Sequence, residues 1–218
     1  MINPVMTKSI NQRKNDAVSP VIGVMLMLVV TIIIASFVSV FAGNIFGDTE
    51  ATPNAALDVN IISNGGVHND QYVMLITHNG GDSINSGDLR IVSYYTDPIT
   101  GVMYSGVLSS SLLEIKTAKM TGITLADGVT GVKIPYLNDL SGGAPGSAGT
   151  NFGEYSLSAG DVMSTGDSFG TSVALFGITT TDTAPSDMNG LQKGSVVEVK
   201  IIYTPSQKTI YSGKVTVQ

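Results

Sequence analysis

Gly166-Asp167-Ser168-Phe169-Gly170 spells G-x-S-x-G, the short word in which a serine hydroxyl can be raised as a nucleophile on a sharp turn. That chemistry needs a strand before the serine, a helix after it and a histidine later in the chain to take the hydroxyl proton. The only two histidines, His68 and His78, both lie upstream, and Thr171 to Phe176 reads as strand. The word is therefore read as a turn, and His78 as an edge-strand or turn residue. A second pattern is the pair of octamers from Gly81-Asp82 to Gly87-Asp88 and from Gly160-Asp161 to Gly166-Asp167, both of form G-D-x4-G-D. Carboxylate, Asn and Ser oxygens in such loops could hold calcium, but the spacing is not that of an EF-hand, and Gly-Asp pairs are ordinary turn formers. Cysteine is absent, which excludes disulfides and thiolate metal sites. No G-x-x-x-x-G-K-[ST] phosphate loop occurs, and no N-x-[ST] sequon, while Ser- and Thr-rich loops leave O-linked sugars open. No catalytic, cofactor-binding or metal-ligating residues are expected, and the protein is not expected to be an enzyme.

The elements that would carry any function are set out by charge and hydropathy. With 218 residues, 43% of them apolar and 13% charged, the chain is long and apolar enough to pack a core. Its eleven Lys and Arg form no basic stripe, so nucleic acid is not an expected partner. Lys8, Arg13 and Lys14 precede Asp16, and from there no Asp, Glu, Lys or Arg occurs until Asp48. The run Val21 to Phe46 is rich in Val, Ile, Leu, Met and Phe; as a helix it reaches roughly 35–40 Å, enough to cross a bilayer. The positive-inside rule places the basic residues in the cytoplasm and the chain after Asp48 outside. Thr31, Ala35, Ser39 and Gly43 recur every four residues, so a second helix could approach closely along that face. Pro20 stands near the helix start, where its missing N–H costs little.

Beyond Asp48 the pattern changes to short alternating segments separated by Gly, Ser, Thr, Asn and Asp. Strands are expected at Ala56–Ser63, Gln71–His78, Leu89–Tyr95, Val102–Leu108 and Gly170–Gly177. Ser195–Thr204 and Tyr211–Gln218 read as a hairpin turning near Pro205-Ser206-Gln207-Lys208. Leu112–Met120 is expected as a short helix, and Asn138–Thr150 and Thr179–Gly190 as loops. The fold class is α+β: a long N-terminal hydrophobic helix followed by an all-β sandwich.

The words Asp16-Ala17-Val18 and Ser19-Pro20-Val21-Ile22-Gly23-Val24 resemble the start of euryarchaeal type IV pilins, with their class III signal peptide. Thr77-His78-Asn79-Gly80-Gly81-Asp82 and the closing VVEVKIIYTPSQKTIYSGKVTVQ also look like segments of these pilins. The resemblance implies a leader over residues 1–17, cut between Ala17 and Val18 by a prepilin peptidase that reads Asp16, Ala17 and Val18. It implies an assembly helix over 18–47 and an extracellular immunoglobulin-like head over 48–218. The implied partners are identical subunits, the prepilin peptidase, an assembly ATPase with its membrane platform, and membrane lipid before assembly. The implied role is a surface filament serving adhesion. Ile22 stands where bacterial pilins usually carry Glu, so pairing of that Glu with a neighbour's amino terminus does not carry over. Archaellins are close relatives of this reading, and the Ser-Pro-Val-Ile-Gly word speaks for a pilin. The alternative is a head that does not polymerise, either held by a single membrane anchor or released after Val40-Phe41-Ala42 to start at Gly43.

Overall fold

The computed structural model describes residues 20–45, 51–63, 72–111, 115–116, 123–139, 142–177 and 191–218. The chain divides into two compact units, residues 1–49 and 50–218.

In the first unit, α1 spans Pro20–Ile45. Pro20 takes its first position, where an N–H would have no intrahelical partner. Val and Ile are only moderate helix formers in water. In an apolar medium the choice changes, because every backbone N–H and C=O must be satisfied within the segment, and the helix does that.

The second unit is built on twelve strands among the described residues. They are β1 (Ala55–Ser63), β2 (Tyr72–Gly81), β3 (Ile84–Asn85), β4 (Leu89–Thr96), β5 (Met103–Ser109), β6 (Ile115–Lys116), β7 (Gly131–Val132), β8 (Tyr136–Leu137), β9 (Ser156–Leu157), β10 (Val162–Ser164), β11 (Val196–Tyr203) and β12 (Lys208–Thr216). One sheet has the order β1-β2-β10-β8 and the other β12-β11-β4-β5, with antiparallel neighbours throughout. These are the orders A-B-E-D and G-F-C-C′ of an immunoglobulin sandwich. The short pairs β3-β9 and β6-β7 are additions to it.

Alternation explains the sandwich. Val197, Val199, Ile201 and Tyr203 of β11 are buried, whereas Glu198, Lys200 and Ile202 between them are half-exposed. Val59, Ile61, Met74, Ile76 and Met163 from the first sheet join Leu89, Ile91, Tyr95, Leu108, Val199 and Ile201 from the second in one core. The β11–β12 hairpin turns through Pro205 to Gln207, with Gln207 at φ 56°, as the Pro-Ser-Gln-Lys word predicts. At the C-terminus Gln218 N donates to Ile61 O (3.0 Å) and Ser63 N to Gln218 O (2.8 Å), which ties the end of the chain to β1.

Two expectations are corrected. The segment expected as a strand at Gly170–Gly177 is helical: α2 runs Ser168–Phe176. Asp167 caps it, its side chain accepting from Gly170 N at 2.9 Å, and Gly177 ends it in the left-handed conformation at φ 65°. Phe169 to Phe176 are all buried, so no polar face breaks the run, and a short apolar stretch without that contrast reads equally as strand. The expected helix at Leu112–Met120 is contradicted at Ile115–Lys116, which pair with Gly131–Val132 as strands; the rest of it lies outside the described residues. Asn138–Thr150 is a succession of turns where described. The Thr179–Gly190 loop lies outside the described residues.

Candidate functional site

The feature that sets this chain apart from an ordinary sandwich is α1. Its apolar stretch Pro20–Phe41 covers 22 residues, or about 33 Å at 1.5 Å per residue, against a hydrocarbon core of about 30 Å. Its large side chains from Val21 to Phe41 are all exposed, from 43% at Val30 to 70% at Met27. Water is therefore the wrong solvent for this surface on every side. The few hydroxyls do not spoil it. Thr31 Oγ1 donates to Leu28 O and Ser36 Oγ to Ile32 O, both at 2.8 Å, so these polar groups are satisfied within the helix.

Thr31, Ala35, Ser39 and Gly43 all fall on α1. At 100° per residue each step of four advances the row by about 40°, so it winds over about 120° of the surface. Val30, Ile33, Ile34, Phe37 and Phe41 occupy the opposite side. From Thr31 onward the row of small residues thus faces away from those large side chains, with Ile32 as the one large residue projected between Ser39 and Gly43 and Ser36 bordering the row. Spacing by fours finds the row but misses Ser36, which projection around the helix recovers. Asp16, Ala17 and Val18 lie outside the described residues.

Ser168 does sit between a strand and a helix, β10 and α2, as the G-x-S-x-G word requires. It lacks the rest of the machinery. Its Oγ accepts from Tyr72 N at 3.0 Å, while its carbonyl accepts from Ser172 Oγ at 2.7 Å. His78 is neither an edge nor a turn residue, which corrects the expectation. It lies fully buried on β2, a central strand, where Nε2 meets Asp82 O at 3.0 Å. Its backbone joins the second octamer, since His78 N donates to Asp161 O (2.9 Å) and Gly160 N to His78 O (2.7 Å).

Three of the octamer aspartates accept from backbone N–H groups. Asp82 Oδ2 accepts from Asn54 N (2.9 Å) and Asp161 Oδ2 from Ser158 N (2.7 Å), and Asp167 caps α2. Among the described residues no three of His, Asp and Glu come together as a cation site would need. Behind the octamers α2 is anchored by hydroxyls. Thr171 Oγ1 meets Thr165 Oγ1, Tyr72 O and Asp167 O at 2.7–2.8 Å, and Thr165 Oγ1 accepts from Met74 N at 3.0 Å.

An apolar helix long enough to cross a bilayer, on the same chain as a β-sandwich with its own core, defines a class: proteins with an N-terminal apolar helix and a β-rich head. Residues 16–57 match the family model for the archaeal type IV pilin N-terminal region. An uncharacterized protein of Archaeoglobus fulgidus is 31% identical over 106 residues, which are 48% of this chain and 72% of that relative. Residues 16–57 therefore carry the N-terminal region of the archaeal type IV pilin family, a family of structural, non-enzymatic subunits.

Proposed function

We propose that this chain is the subunit of an archaeal type IV pilus, cut by a prepilin peptidase between Ala17 and Val18 and polymerised through α1 into a surface filament that serves adhesion. Residues 1–17 are the leader, 18–47 the assembly helix and 48–218 the extracellular head. The observation that carries this reading is the apolar surface of α1, exposed all round over Pro20–Phe41 and continuous with the segment that matches the pilin model. Before assembly lipid solvates the helix. In the filament, other copies of the helix replace lipid, and either state is far better than water. Thr31, Ala35, Ser39 and Gly43 form the face of closest helix approach, because small residues let backbones come together. The partners are the peptidase, an assembly ATPase with its membrane platform, and identical subunits. Intact mass of the protein taken from cells tests the proposal. A start at Val18 is expected. A start at Gly43 would indicate a secreted head, and an uncut leader a plain membrane anchor.

A further inference from the structure

We draw no further inference here: the strongest candidate, the patch of exposed apolar side chains that Tyr94, Ile99, Val102, Met103 and Val107 form on the β4–β5 hairpin with Val196 of β11, carries nothing because Gly177 already stands against the Ser105 carbonyl at its edge and nothing in the structure shows what covers the rest.

Discussion

Asp97 shows how much one carboxylate can organise. Its Oδ1 accepts from Ile99 N at 2.8 Å and its Oδ2 from the Thr100 hydroxyl, which fixes the turn between β4 and β5. The Thr100 hydroxyl, followed by the Ile99 N–H, holds the Asp97 carboxyl below its usual range. The sign follows: a carboxyl lowered in the folded state stabilises above the ordinary carboxylate pKa of about 3.9, and that stability is lost as pH falls through the folded value. Asp97→Asn should flatten the acid limb of the melting-temperature profile below about pH 4, and thermal melts across that range check it. Other residues are legible in the sequence only in part. Of the octamer aspartates, Asp161 and Asp167 read correctly as bonding their own neighbouring backbone, at Ser158 N and Gly170 N, whereas Asp82 reaches across to Asn54 N. That His78 lies on a central strand is not legible, since nothing in the word Thr77-His78-Asn79-Gly80 shows that β10 pairs beside β2. Processing is a residue-scale matter as well. Ala17→Trp should leave precursor in the membrane, seen as an unshifted band on immunoblots of cell fractions, and normal maturation of that variant would contradict the proposed cleavage site.

At the scale of elements, α2 is held where it is by a glycine. A Cβ on Gly106 of β5 would stand 1.7 Å from Ala174 O, a backbone atom that cannot swing aside, and Ser93 Oγ donates to the same carbonyl at 2.7 Å. Gly106→Ala should therefore lift α2 from the sheet and cost about 1–3 kcal/mol, as overpacking typically does; denaturant titration would measure it. β1, β4, β5 and β11 can be read from sequence to within one residue at each end because one face is wet, whereas β2 runs three residues past the expected His78 and β12 starts three before the expected Tyr211. α2 cannot be read that way, because all but its first residue is buried and burial on every side erases periodicity. α1 is legible for the opposite reason: an uncharged apolar run of that length has no polar face to turn toward water, and a helix in lipid is the state that satisfies both its side chains and its backbone. Its small face makes a further test. Ala35→Leu or Ser39→Leu keeps the helix apolar, so subunit in the membrane should hold while filament yield falls, with an overpacking penalty of about 1–3 kcal/mol at each contact. Val30→Leu, on the large-residue side, should be milder. Undiminished assembly of Ser39→Leu subunits would remove that face from the packing account.

For the whole molecule the question is whether the two units are coupled in stability. The buried hydrophobic side chains of the described residues begin at Val59 and end at Val217, and α1 contributes none of them. The core of residues 50–218 closes on itself through two sheets and α2. Among the described residues, those before Glu50 supply no side chain of that core. Removing residues 1–49 takes away the one surface that demands lipid or other helices. A chain that starts at Glu50 should be soluble and strand-rich by circular dichroism, and should melt cooperatively as a single domain does. By the same argument it should form no filaments under conditions where processed full-length subunits polymerise, because the driving surface is absent. Electron microscopy with a melting curve decides both halves. A truncated head that is unfolded would show that the core depends on residues before Glu50. A truncated head that still polymerises would take assembly away from α1 altogether.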